Sequence, residues 1–186
     1  MLLVSKSAIP FAIISIPWRS FLTRDTPSRS KSVSTSIRLA FLSIGRDEGD
    51  LPALQEAITK LNLDSHVKYE GTLSQGSAVE RLAQAGVFVL PSFGEVFPMT
   101  VLESLVAGTP VVTTDQSGLA GLLTRWNAAI VTDGSPQQLM EAVSKILTDP
   151  KERKILTSNG SMAVEEEFSI DIVANQLSRM YLASNK

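Results

Sequence analysis

The sequence predicts an α/β fold of the Rossmann-like type: a parallel sheet with helices on both faces. Three observations carry that expectation. From residue 37 onward, short apolar β-rich runs alternate with segments of helical periodicity. The connections between them are only a few residues long and carry glycine, Ser-Pro or Asp-Pro at the boundaries. No segment recurs at a fixed period, so a solenoid or propeller is not indicated. Strands that alternate with helices in this way pair in parallel, with the helices as crossovers. Ligands of such sheets bind beyond the carboxyl ends of the strands.

Taken in order, Met1 to Leu22 is largely apolar, but Lys6, Pro10, Pro17 and Arg19 interrupt it. Its longest apolar run falls short of the ~20 residues of a spanning helix. No basic stretch precedes it and no small-residue cleavage site follows. A buried strand at Met1–Ser5 is therefore expected rather than a signal peptide or anchor. Residues 23–36 are polar, serine-rich and lightly basic, and read as a solvated loop. The first regular strand is expected at Ile37–Ile44, ending at Gly45. Leu51, Leu54, Ala57, Ile58 and Leu61 have helical spacing, with Pro52 early enough to do no harm. A short strand at His66–Glu70, a helix over 77–85 and the strand Val87–Leu90 follow. A helix over 98–107, a strand at 110–114, a helix near 117–124 and a strand at 129–131 come next. Ser135-Pro136 and Asp149-Pro150 are helix starts, Asn159-Gly160 reads as a helix stop, and Ser169 caps a last helix to about Leu182. Residues 1–36 thus form a poorly defined segment with a degenerate first strand and helix, and 37–186 the folded domain.

Composition narrows the chemistry. The 186 residues are 44% hydrophobic and 19% charged, which suits one soluble domain. A net charge of −2 gives no electrostatic case for nucleic acid. The absence of cysteine removes disulfides and thiolate metal sites, and a cytoplasmic setting is expected. His66 is the single histidine, and it reads as a surface residue. No metal site is expected, and any chemistry falls to carboxylates, hydroxyls, cations and backbone amides.

The stretch Pro91–Val112, PSFGEVFPMTVLESLVAGTPVV, concentrates such groups. With Pro98 at the start of a helix, Glu95 lies in the loop before it and Glu103 about a turn and a half inside. The first two or three amides, those of Met99 and Thr100 with Val101 as the third candidate, then lack intrahelical partners and form an anion site suited to a diphosphate. Carboxylates on either side would accept hydrogen bonds from vicinal hydroxyls. Against this, Ser92-Phe-Gly-Glu95 and Thr100-Val-Leu-Glu103 both match the capping box, in which the glutamate only secures a helix start. Pro98 argues against both boxes, one because it would lie inside the helix and one because the helix has already begun. Spacing alone leaves the two readings open. The turn Arg46–Asp50 is charged and sits at a strand's carboxyl end; solvation is its plain reading, with Arg46 the member placed to assist a phosphate. Trp126 reads as cover for the last strand and Glu165–Glu167 as a solvated helix end.

The same stretch resembles the donor-binding signature of the group 1 retaining glycosyltransferases, whose GT-B architecture sets two Rossmann-like domains across a cleft. Pro91, Ser92, Glu95, Glu103, Ala107, Gly108, Pro110, Val111, Val112 and Gly118 carry the pattern. RLAFLSIGRDEG, LNLDSHVKYEGTLS and AAIVTDGSPQQLMEAV extend it in order, over residues 37–182. The resemblance implies one GT-B half that binds a nucleotide-diphosphate sugar as donor substrate, with no separate cofactor. It implies Glu95 as the catalytic residue at the sugar hydroxyls and Glu103 on the ribose. Phe97, Pro98, Met99 and Thr100 would meet the diphosphate, and the base would lie near Lys68–Gly71, at Tyr69. It further implies an acceptor domain, as a missing amino-terminal part or a separate subunit, and peripheral membrane association through that half. The alternative is a non-catalytic or truncated binding module. Departures favour caution about catalysis: where the family has arginine and lysine, VSKSAIPFA places Lys6 and Phe11. Gly121 stands where a glutamate is common, and Gly86 where an aspartate is.

Overall fold

A computed structural model of the chain describes residues 11–15, 40–45, 47 and 49–184. Its strands are β1 (Phe11–Ser15), β2 (Ala40–Ile44), β3 (Val67–Gly71), β4 (Val87–Leu90), β5 (Val111–Thr114) and β6 (Ile130–Thr132). They form a six-stranded sheet in the order β3-β2-β1-β4-β5-β6. The chain winds outward in one direction to β3, then returns to β4 and winds outward in the other. The topological switch point therefore lies between β1 and β4.

Helices α1 (Leu51–Lys60), α2 (Gln75–Gln84), α3 (Met99–Val106) and α4 (Ala120–Trp126) are the connections between β2 and β6. Helices α5 (Pro136–Thr148), α6 (Pro150–Phe168) and α7 (Ile170–Ser184) follow. The Rossmann-like α/β expectation holds, with one difference. β2 and β3 are parallel, as are β4, β5 and β6, but β1 runs antiparallel to both of its neighbours. Its register places Phe11 opposite Ile44 and Ile13 opposite Phe88. An antiparallel strand exchanges backbone hydrogen bonds as well as a parallel one, so a short apolar segment fills the centre in either direction. The strand expected at Met1–Ser5 lies outside the described residues. β1 belongs to the segment set apart as 1–36, so the sheet is built across that boundary.

Strand alternation divides the interior. Phe88 and Leu90 face one apolar cluster, with Leu82 of α2, Val101 and Leu105 of α3 and Ala163 of α6. Val87, Val89 and Val112 face the other, with Ala142 and Ile146 of α5. Helices therefore cover both faces, and α6 serves both clusters, through Leu156 on one and Ala163 on the other.

The predicted helix starts are met chemically. Ser135 Oγ accepts the Gln138 amide at 3.4 Å, and Asp149 Oδ1 accepts those of Lys151 and Glu152 at 2.9 and 3.2 Å. The stop expected at Asn159-Gly160 is not one, because α6 runs on to Phe168. Asn159 Nδ2 instead donates to the carbonyl of Asn127, the left-handed residue that ends α4, at 3.1 Å. Gly160 is buried against Leu105. The acidic run Glu165–Glu167 also differs from its reading. Glu165 and Glu166 are exposed, but Glu167 Oε1 accepts from Trp126 Nε1 at 2.9 Å and from Arg125 at 2.7 Å. His66 is exposed beside Ser65, as expected. Helix α7 leaves Ile170, Leu177 and Met180 largely in solvent.

Candidate functional site

The site is built where β4 meets its loop at the switch point. Residues 91–98 form an irregular turn, with Gly94 at φ +75° where a side chain would be strained. Because no helix forms between Ser92 and Pro98, Ser92 and Glu95 do not make a capping box. Helix α3 starts at Met99, with Pro98 as an extended N-cap that offers no side-chain hydrogen bond. Thr100 is thus already inside the helix, and the second capping box fails too. The Met99 and Thr100 amides are left without intrahelical partners. The Val101 amide, the third candidate for that role, donates to the Pro98 carbonyl at 3.0 Å, so the number is two.

Around that terminus the two glutamates take different settings. Glu95 is exposed in the loop, and Glu103 is half-buried in the second turn of α3. Pro98 is buried, Met99 exposed, and the Phe97 ring meets Phe168 edge-on at 5.9 Å, which ties the loop to the end of α6. Phe97, Pro98, Met99, Thr100, Glu95 and Glu103 are therefore brought to one place. Tyr69 is not: it lies on β3, three strands from β4, about 14 Å away at the usual strand spacing. Its hydroxyl donates to the Gly45 carbonyl at 2.7 Å and helps join the carboxyl ends of β2 and β3. Beside it, Glu70 Oε1 accepts from Lys68 and Arg81, both at 3.1 Å. Arg46 lies outside the described residues.

Several groups that hold this end of the sheet together were not singled out in the sequence. Thr113 and Thr114 donate to the carbonyls of Leu90 and Ser92 at 3.3 and 2.6 Å, and Thr132 donates to that of Thr113 at 3.1 Å. Phe93 lies over Gly134, where a Cβ would come within 2.8 Å of the ring. Gly118, which the sequence did single out as part of the signature, donates its amide to the Glu95 carbonyl at 2.8 Å. Threonines at the ends of buried strands, followed by an Asp-Gly turn, are the visible signal for this bracing. Asp133 in that turn accepts from Ser135, which holds its carboxyl below the usual carboxylate range. Among the described residues, no three His, Asp or Glu side chains are grouped to hold a metal ion, and no helix is long and apolar enough to cross a membrane.

A doubly wound sheet with this loop and helix defines a Rossmann-like half of the GT-B architecture. Residues 33–162 match the model of the glycosyl transferases group 1, and the chain belongs to that family. The 2-deoxystreptamine N-acetyl-D-glucosaminyltransferase of Niallia circulans is 30% identical over 124 residues, covering 64% of this chain and 32% of that protein. A sucrose-phosphate synthase from Thermosynechococcus elongatus superposes with a TM-score of 0.67 at 23% identity, over 78% of this chain and 39% of that one. Anabaena HepE, solved in complex with UDP-glucose, superposes with a TM-score of 0.66 at 20% identity, over 76% of this chain and 40% of that one. At such identities the structural likeness is one of fold. The matched region spans about a third of the length of the curated relatives.

Proposed function

We propose that this chain is the donor-binding half of a retaining glycosyltransferase and holds a nucleotide-diphosphate sugar at the head of α3. The uncapped helix terminus, with a glutamate on either side of it at the switch point, carries the reading. The Met99 and Thr100 amides and the positive end of the helix would receive the diphosphate. Glu103 would accept from the ribose hydroxyls and Glu95 from those of the transferred sugar. The base would extend toward Tyr69 on β3. As the sugar leaves, charge grows on the diphosphate, and fixed amides that need no reorganisation favour that step.

Transfer requires an acceptor half, supplied by further chain or by a separate subunit. The matched third of the relatives and the exposed apolar residues of α7 support such a partner. Binding without transfer is the second reading. Phe11, standing where the family carries a lysine, is committed to the sheet opposite Ile44, which favours it.

Calorimetric titration with UDP, GDP and ADP and their hexose adducts tests the donor site. Binding that weakens about tenfold or more in Glu103→Ala is expected, from the loss of charge-assisted hydrogen bonds. No binding of any of these ligands to the wild type, alone or with an acceptor half, would overturn the reading. Hexose transfer on addition of that half would separate the enzyme from the binding module.

A further inference from the structure

Besides its own Phe93 and Phe97, the loop that carries Glu95 is held through its backbone carbonyls by residues from the end of β5 and the turn after it. Gly118, between β5 and α4, donates its amide to the Glu95 carbonyl at 2.8 Å. A Cβ built on Gly118 would overlap the Val96 carbonyl oxygen and come within 2.8 Å of its carbon. Backbone φ is ordinary at Gly118, so the constraint is one of space rather than of handedness. One turn of chain earlier, Thr114 Oγ1 donates to the Ser92 carbonyl at 2.6 Å. The two residues grip the loop on either side of Gly94, a position where the chain has no side chain to stiffen it.

We propose that Gly118 and Thr114 are positioning residues for Glu95: they set where its carboxylate stands without touching the ligand themselves. This rests on the reading that Glu95 meets the transferred sugar. It adds that the affinity gained from the sugar depends on a backbone contact made from the turn after the neighbouring strand. Substituting Gly118 by alanine leaves Glu95 chemically intact but forces the Val96 carbonyl, and the peptide before it, out of place.

The test compares each nucleoside diphosphate with its hexose adduct on wild type, Gly118→Ala and Thr114→Val, with and without Glu95→Ala. Gly121→Ala is the control, since a Cβ there meets nothing within 4 Å. In Gly118→Ala the extra affinity for the adduct is expected to fall about tenfold, with the diphosphate alone changed less than about twofold. In the Glu95→Ala background the same substitution should change nothing further, because there is no carboxylate left to position. Thr114→Val should act in the same direction and more weakly. Equal losses for diphosphate and adduct, or additive effects of Gly118→Ala and Glu95→Ala, would overturn the proposal.

Hydrogen exchange of residues 92–98 without ligand keeps the two readings separate. Faster exchange there in Gly118→Ala, with α5 and α6 unchanged, is expected even if the wild type binds none of the ligands. Unchanged exchange would sink the positioning role whatever the titrations show. If Gly118→Ala loses protection throughout, Thr114→Val decides by the same two measurements.

Discussion

Gly160, in the middle of α6, lies against Leu105 of α3 so closely that a Cβ on it would sit 2.7 Å from Leu105 Cδ2. The contact brings a 19-residue helix onto the short helix that bears Glu103. Two effects oppose each other in substitutions here. Alanine gains about 1 kcal/mol of helix propensity over glycine, while crowding a filled core costs about 1–3 kcal/mol. Gly160→Ala is therefore expected to change stability by less than about 1–2 kcal/mol. Gly160→Val adds branching and volume and should lose more than about 2 kcal/mol. Urea denaturation of the two variants checks the ordering.

Glu167 gives the fold an acid-sensitive strut. The Trp126 indole N–H, then the Arg125 guanidinium, hold its carboxyl below the usual glutamate range. A carboxyl whose folded pKa is depressed contributes stability that is present above the ordinary range and lost as pH falls through the folded value. Glu167→Gln should thus lower the urea midpoint near neutral pH and flatten its decline as pH falls through and below the ordinary glutamate range. An unchanged acid slope would show that the contact with Trp126 adds nothing in solution. The Arg125 arm is largely exposed, so Arg125→Ala should have the smaller effect.

Thr109, buried just before β5, donates Oγ1 to the Leu82 carbonyl at 2.6 Å and so closes the end of α2 onto the sheet. Thr109→Val keeps the shape and removes one of the two hydrogen bonds that this carbonyl accepts, the other coming from the Ala85 amide at 2.9 Å, a loss of about 0.5–1.5 kcal/mol. The measurement is again an unfolding midpoint. A neutral result would mean that the Ala85 amide alone satisfies the carbonyl.

The two glutamates should separate by ligand. Glu103→Gln is expected to weaken the nucleoside diphosphate and its hexose adduct alike, by about tenfold. Glu95→Gln should weaken only the adduct, by a similar factor. Titration of both ligands on both variants checks this, and equal behaviour of the two variants would contradict separate roles.

Much of the fold was legible in the chain. Alternating apolar runs, Ser135-Pro136, Asp149-Pro150 and the break at Gly108 are local signals, and helices and strands form where such signals stand. The head of α3 was legible for the same reason: Pro98 suits only a helix start, and the helix expected from residue 98 begins one residue later, at Met99. What was not legible depends on residues far apart. Asn159-Gly160 reads as a stop because that pair so often ends helices; here its amide secures Asn127 and its missing side chain admits Leu105. Glu167 reads as one of three solvated acids until Trp126, 41 positions away, is brought beside it.

The sequence by itself determined an α/β domain with a helix start at Pro98 and a glutamate on either side of it, because helix starts, strand alternation and proline geometry act over a few residues. Only the tertiary structure decided that β1 runs antiparallel at the centre of the sheet, that Tyr69 stands three strands from the glutamates, and that Gly118 supports the Glu95 loop. Each of these depends on which distant backbone groups meet. Hydrogen bonding and close packing across the sheet settle that, and no local pattern encodes it.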